Sequence, residues 1–114
     1  MIKRLESGPR MSQAVVHGNT IYLAGQVADD PSADVAGQTR QVLASIDKLL
    51  AAAGSDKTRI LSATIFLAEI STFAQMNSAW DAWVPQGHTP ARATVEARLA
   101  APQYKVEIQV TAAV

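Results

Sequence analysis

The spacing of apolar residues switches repeatedly between strand and helix periods along the chain. Alternating apolar and polar residues, which predict strands, occupy Ile60 to Leu67, Ala91 to Glu96 and Lys105 to Ala113. Two other stretches, Ala33 to Ala53 and Thr72 to Val84, repeat their apolar residues at helical spacing. Because the two kinds of segment alternate, the sequence predicts an α+β fold.

Turn and capping residues mark the ends of these elements. Gly18-Asn19 lies between β-forming residues and predicts a tight hairpin turn, so the N-terminal quarter is expected to form strands. Ser32 is expected to cap the first helix and Gly54 to end it. The segment Thr72 to Gln75 predicts a capping box at the start of the second helix.

The two helix-plus-strand units predict a mixed sheet with both helices on one face, within a single domain spanning residues 1–114. In the strand from Ile60 to Leu67 we expect one face to carry Leu61, Ala63, Ile65 and Leu67. The helix-free face of the sheet would include the polar residues Arg92, Thr94, Glu96 and Glu107. Either solvent or another protomer must cover such a face, and we predict a homo-oligomer.

Composition excludes several function classes. Basic and acidic residues number 10 each, so there is no net field to draw the protein onto nucleic acid or an anionic membrane. The chain has no cysteine, which excludes disulfides, thiolate metal sites and a cysteine nucleophile. The N-terminal residues do not resemble a signal peptide, and no stretch approaches the roughly 20 apolar residues of a membrane span. We expect a cytoplasmic protein.

Two charged residues on predicted strands are candidates for binding and catalysis. Arg92 follows Pro90 by two residues and projects to the same side as Thr94 and Glu96, so a strand could hold its guanidinium for bidentate binding of a carboxylate. Glu107 has apolar neighbours, and such a carboxylate can orient or deprotonate water. Judged from spacing alone, a structural salt bridge for Arg92 and a cross-strand ion pair for Glu107 are the commoner roles.

Other residue types give no sign of a cofactor. His17 and His88 have no neighbouring ligand at metal-binding spacing. Trp80 and Trp83 fall on the apolar stripe of the second helix, and we assign them to the core. The six glycines are scattered and form no phosphate-binding loop.

Several segments together resemble the RidA/YjgF family of imine and enamine deaminases. The most specific run from Pro90 to Glu96 and from Lys105 to Ile108, and the resemblance extends through Gly18 to Gln26 and Gln38 to Gln41. Within the family, the segments Ala63-Thr64-Ile65-Phe66-Leu67-Ala68 and Met76 to Val84 are most similar to the YoaB-like branch.

The resemblance implies a chorismate-mutase-like fold and a homotrimer whose sheets form a central barrel, with three sites in clefts between protomers. It also implies hydrolysis of 2-imino or 2-enamino acids to 2-oxo acids and ammonia, with no metal or cofactor. By position, Arg92 would bind the substrate carboxylate and Glu107 would position the attacking water. The backbone around Thr94 and Gly25 would hold the remaining polar edge of the substrate.

This chain departs from the family pattern at two positions that the resemblance places at the substrate. Met11 stands where the deaminases generally have a tyrosine, and Ala24 stands where they have a serine before Gly25. Losing a polar contact of this kind costs about 1 to 3 kcal/mol, so we expect slower turnover or a preference for bulkier, more apolar imines.

Three other functions remain open on the sequence. The first is non-catalytic binding of 2-oxo acids or similar carboxylates by the oligomer, although a pure carboxylate receptor would gain nothing from Glu107. The second is an endoribonuclease or translation inhibitor, against which the zero net charge argues. The third is a structural or chaperone-like oligomer, for which the sequence offers no positive sign.

Overall fold

A computed structural model describes residues 1–114 and confirms the predicted order of strands and helices. Two short 3₁₀ turns, Lys57–Arg59 and Ile70–Thr72, precede the fourth strand and the second helix. The strands and helices are β1 (Ile2–Ser7), β2 (Ser12–His17), β3 (Thr20–Leu23), α1 (Val35–Ala52), β4 (Ile60–Leu67), α2 (Phe73–Trp83), β5 (Ala91–Glu96) and β6 (Val106–Ala113).

All six strands form one mixed sheet in the order β1-β2-β3-β6-β4-β5. β4 and β5 are parallel and α2 connects them, whereas every other pair of neighbouring strands is antiparallel. The two-residue turn that links β2 to β3 is the predicted one, and Gly18 adopts the positive φ of 59° that such turns require. No helix is long and apolar enough to cross a membrane.

The core lies between one face of the sheet and the two helices, as predicted. β6 alternates strictly, and its Val106, Ile108, Val110 and Ala112 are buried. The helices contribute residues including Leu43, Ile46, Met76 and Trp80 to the same cluster. Trp83 is only partly buried against this core and donates its indole N–H to Asp47 at 2.9 Å.

Both predicted helix caps differ in the structure. Asp34 caps α1, accepting a hydrogen bond from the backbone N–H of Gly37 at 2.8 Å. Ser32 cannot serve because its hydroxyl donates to the Asp30 carboxylate at 2.6 Å, and the helix begins two residues later than a Ser32 cap would place it. Thr72 precedes α2 without a side-chain cap, and its hydroxyl donates instead to the carbonyl of Glu69.

The assignment of Leu61 to the same face of β4 as Ala63, Ile65 and Leu67 is wrong. The pairing of β4 with β6 shifts register between Ile60 and Ser62, which is a β-bulge. The extra residue moves Leu61 into solvent, where it is 54% exposed, and Ile60 is buried instead. From Ala63 onward the predicted alternation holds.

One fully buried polar side chain, Gln38, connects three segments of the chain. Its amide nitrogen donates to the carbonyls of Pro31, Ala33 and Gln103 at 2.9 to 3.2 Å. Its amide oxygen accepts from the backbone N–H of Lys105 at 2.9 Å. Gln38 thereby ties the start of α1 to the residues that lead into β6.

Replacing Gln38 with leucine should lower the free energy of unfolding by about 2 to 4 kcal/mol, because it removes a partner from four partly buried backbone groups. Of these only the Ala33 carbonyl keeps another partner, the ammonium group of Lys105. Gln41→Leu is the matched control, since Gln41 lies on the same helix and its hydrogen bonds to Asp30 are exposed to water. Urea unfolding followed by circular dichroism measures both. Equal midpoints for the two variants would contradict the role assigned to Gln38.

Candidate functional site

Arg92 lies on the edge strand β5 and extends across the face of α2. In the parallel pairing Arg92 is opposite Ala63, a core residue, so its side chain is on the helix-covered side of the sheet. Its Nη1 donates a hydrogen bond to Oδ1 of Asn77 at 2.8 Å. Asn77 is a neutral amide, so no ion pair is formed by this contact.

Two aromatic rings lie against the guanidinium of Arg92. Its Cζ is 5.3 Å from the ring centroid of Trp80 and 5.7 Å from that of Phe73. Trp80 is 5% exposed and Phe73 is 41% exposed. Ring faces attract cations, and the planar guanidinium can also stack on them.

The three residues that hold Arg92 lie on one side of α2. Phe73, Asn77 and Trp80 are spaced by four and three residues, which places them on adjacent turns of the same helix face. Arg92 has five N–H donors, of which Asn77 takes one. The remaining donors include a fork of two N–H groups that can bind a carboxylate.

Glu107 lies on β6, on the face of the sheet opposite to the helices. Its flanking residues Val106 and Ile108 point into the core, and its paired residue on β4 is Phe66. The directly opposite position therefore carries no lysine or arginine, and the predicted alternative of a cross-strand ion pair has no partner there.

The carboxylate of Glu107 fits against Gly25. Two backbone hydrogen bonds between Gln26 and Ile108, at 2.9 and 3.1 Å, align the segment after β3 with β6. A Cβ atom at Gly25 would lie 2.1 Å from Oε2 of Glu107 and 2.9 Å from its Cδ. A glycine is therefore required for the carboxylate to occupy this position.

The remaining candidate residues are Thr94, Ala24 and Met11. The Oγ1 atom of Thr94 is buried on the same side of β5 as Arg92 and has no hydrogen-bond partner. Ala24 adjoins Gly25, and its N–H and carbonyl are bonded to Gln13 and to the side chain of Gln26. Met11 lies in the turn between β1 and β2 and is 50% exposed.

The prediction that Arg92, Thr94 and Glu96 share the helix-free face with Glu107 is wrong. These three residues pair with Ala63, Ile65 and Leu67 of β4, which point into the core, whereas Glu107 pairs with Phe66, which points the other way. Glu96 accepts a hydrogen bond from the N–H of Ile70 just before α2. Since β4 separates β5 from β6, one chain holds its guanidinium and its carboxylate on opposite sides of the sheet.

We call the two groups the arginine half-site and the glutamate half-site. The arginine half-site comprises Phe73, Asn77, Trp80, Arg92 and Thr94, and the glutamate half-site comprises Ala24, Gly25 and Glu107. None of the four surface cavities of the single chain, the largest of about 750 Å³, is lined by Arg92 or Glu107. No group of three or more histidine, aspartate or glutamate side chains is placed to hold a metal ion.

Sequence reasoning missed the contributions of Phe73 and Asn77. Phe73 is counted in the predicted apolar stripe of α2, and Asn77 interrupts that stripe with a polar residue. A lone amide beside two aromatic residues at helical spacing is the signal that could have indicated a partner for a charged side chain.

Comparisons with known proteins agree with this architecture. The whole chain, residues 1–114, matches the family model described as Endoribonuclease L-PSP. The chain is 51% identical to the RutC family protein YoaB of Escherichia coli over 113 residues, covering 99% of this chain and 98% of that protein. It is 35% identical over 107 residues to the 2-iminobutanoate/2-iminopropanoate deaminase of Rattus norvegicus, covering 89% of this chain and 77% of that protein.

A solved structure shares the fold over nearly its full length. NMB1025 of Neisseria meningitidis, described as a member of the YjgF protein family, is 48% identical, with a TM-score of 0.97 over 99% of this chain and 94% of that one. The match over the whole chain, the similarity to YoaB and the common fold together show that this protein belongs to the RidA/YjgF family.

Proposed function

We propose that this protein hydrolyses 2-imino and 2-enamino acids to 2-oxo acids and ammonia, and so removes reactive intermediates in the cytoplasm. The observation that carries the proposal is the state of Arg92, whose guanidinium is held by a neutral amide and two rings. These contacts do not pair the guanidinium with a carboxylate of the same chain, so its charge is available to bind the carboxylate of a substrate. The deaminase name of the rat relative supports the same chemistry.

The active site in this proposal lies between protomers. Arg92 and Glu107 are on opposite faces of one sheet, so a substrate can contact both only where two chains meet. A homotrimer with the sheets around a central barrel, as the family resemblance implies, would join the arginine half-site of one protomer to the glutamate half-site of its neighbour. It would also cover residues of the helix-free face such as Tyr22 and Val95, which are 49% and 42% exposed in the single chain.

The chemistry needs only these side chains and one water molecule. Arg92 binds and orients the substrate carboxylate, and the free amide nitrogen of Asn77 can donate to the same group. The oxygen of the water adds to the C=N carbon of the substrate while Glu107 accepts a proton from that water. Glu107 then delivers the proton to the substrate nitrogen. The resulting carbinolamine loses ammonia and forms the C=O bond of the 2-oxo acid. An enamine must first take a proton at carbon to give the imine.

The substrate side chain meets an apolar environment in this site. The family resemblance places Met11 and Ala24 at the substrate, where neither contributes a hydroxyl, and methionine fits large or irregular apolar groups well. We propose slower turnover of small imines than in the deaminases that have tyrosine and serine at these positions. The same two residues favour the second candidate function, binding of 2-oxo acids without turnover.

A ribonuclease function, which the description of the family model names, has less support here. The chain carries no net charge, and phosphate contacts from lysine and arginine supply most of the affinity of proteins for nucleic acid.

Arg92→Lys should reduce imine hydrolysis at least ~100-fold and abolish binding of 2-oxo acids, because lysine keeps the charge but loses the planar fork. Turnover is measured by generating imines with an amino-acid oxidase and trapping them with semicarbazide. Binding of pyruvate and 2-oxobutyrate is measured by calorimetry. Arg98→Lys, in the loop after β5, is the matched control and should behave as the wild type.

Three results of this experiment are distinct. Loss of both activities supports the deaminase, and oxo-acid binding by a wild type that has no turnover supports the second candidate function. Wild-type activity in Arg92→Lys would refute the assignment of Arg92 as the carboxylate-binding residue.

Mixed oligomers should restore activity that neither parent variant has. Arg92→Ala and Glu107→Gln should each be inactive, yet equal amounts refolded together should regain about a quarter of wild-type turnover, because random assembly leaves that share of intersubunit sites with both residues intact. Light scattering should give a mass of three chains. A site within one chain would give no recovery, and a monomeric mass would exclude the shared site.

Gly25→Ala should reduce turnover about 10-fold to 100-fold while changing the melting temperature little, because the new Cβ displaces the flexible end of Glu107 and not the backbone. Gly8→Ala is the control, since a Cβ there would meet its nearest atom, the carbonyl oxygen of Met11, at an ordinary 3.7 Å. Full activity in Gly25→Ala would show that the observed position of the Glu107 carboxylate is not the catalytic one.

A further inference from the structure

We propose that Trp80 is a positioning residue for Arg92, and that Phe73 supports the exposed side of the same guanidinium. The relevance of this role to catalysis rests on the function proposed above. The orientation of the guanidinium by these rings depends only on contacts within this chain. We call the two rings the aromatic platform.

The contacts restrict the guanidinium in complementary ways. The rings of Trp80 and Phe73, at 5.3 and 5.7 Å from Cζ, limit how the plane of the group can tilt. The hydrogen bond from Nη1 to Asn77 limits rotation within that plane. A carboxylate needs both restrictions if it is to meet two parallel N–H donors, so the platform and the amide together prepare the fork before substrate binds.

Trp80 can impose this restriction because the core holds it rigidly. It is 5% exposed, belongs to the main apolar cluster, and packs against Trp83 with ring centroids 5.5 Å apart at an angle of 52°. The attraction between a cation and a ring is stronger where water is excluded. Phe73 is 41% exposed and can contribute less.

Trp83 provides a matched control on the same helix. It is a partly buried tryptophan packed on the core, whereas Trp80 is buried, and the cation over the Trp83 ring is Lys57, at 5.2 Å, and not Arg92. Loss of Trp83 therefore removes an aromatic ring from the same helix without removing a contact of the guanidinium.

The first measurement needs no substrate. In the ¹⁵N-labelled oligomer, the Nε–Hε signal of Arg92 is identified by its absence in Arg92→Lys. We expect ring currents to shift it from the position of a free arginine and solvent exchange to be slow. Trp80→Leu should return the signal to the free position, and Trp80→Phe should keep part of the shift. Trp83→Leu removes one contact of Trp80 but none of the guanidinium, so it should move the signal much less than Trp80→Leu does.

The second measurement compares KM with kcat for imine hydrolysis. In Trp80→Leu we expect KM to rise about fivefold to twentyfold and kcat to change less, with Trp80→Phe within about threefold of the wild type. A merely structural role would instead lower the active fraction, and so kcat, at constant KM. Phe73→Leu alters an exposed residue and serves as the test if Trp80→Leu does not fold. We expect KM to rise in Phe73→Leu, but by less than in Trp80→Leu.

The two measurements separate this proposal from the deaminase function. A wild type without turnover whose Arg92 signal moves in Trp80→Leu refutes the deaminase and supports the platform. An Arg92 signal that is unchanged in Trp80→Leu, or at the free position in the wild type, refutes the platform whatever the turnover.

Discussion

The pairing of β4 with a parallel strand on one side and an antiparallel strand on the other determines where the two candidate side chains, Arg92 and Glu107, lie. Side chains alternate along a strand, so the register fixes the face to which each residue points. Ala63 pairs with Arg92 and Phe66 pairs with Glu107, and because 63 and 66 differ by an odd number the two charged residues fall on opposite faces. A slip of one residue in either pairing would bring both to the same side and would expose core residues.

The two half-sites are supported by different physical means. Arg92 depends on side chains of α2, which offers an amide and two rings at helical spacing. Glu107 depends on the absence of a side chain at Gly25, and two backbone hydrogen bonds between Gln26 and Ile108 maintain that close approach. The first half-site constrains the identity of several residues, whereas the second constrains mainly one glycine and the register of a backbone segment.

The sequence predicted much of the fold because apolar periodicity is a local signal. The element order, the Gly18 turn and the placement of both helices on one face of the sheet all follow from patterns within short segments. Ser32 and Leu61 were assigned wrongly because a competing carboxylate and a β-bulge decide their environment, and neither leaves a clear mark on periodicity. The separation of Arg92 from Glu107 depends on long-range strand register, which no local pattern contains.

The half-sites also differ in how much of the chain each one needs. Phe73, Asn77, Trp80 and Arg92 all come from the continuous unit β4-α2-β5, so the arginine half-site uses contacts between neighbouring elements. The glutamate half-site joins Gly25 to Glu107 and therefore brings together the two ends of the chain. Contacts between distant residues form late because closing a long loop costs entropy. The arginine half-site thus needs only contacts within β4-α2-β5, whereas the close approach of the Glu107 carboxylate to Gly25 exists only once β6 has paired with the segment after β3.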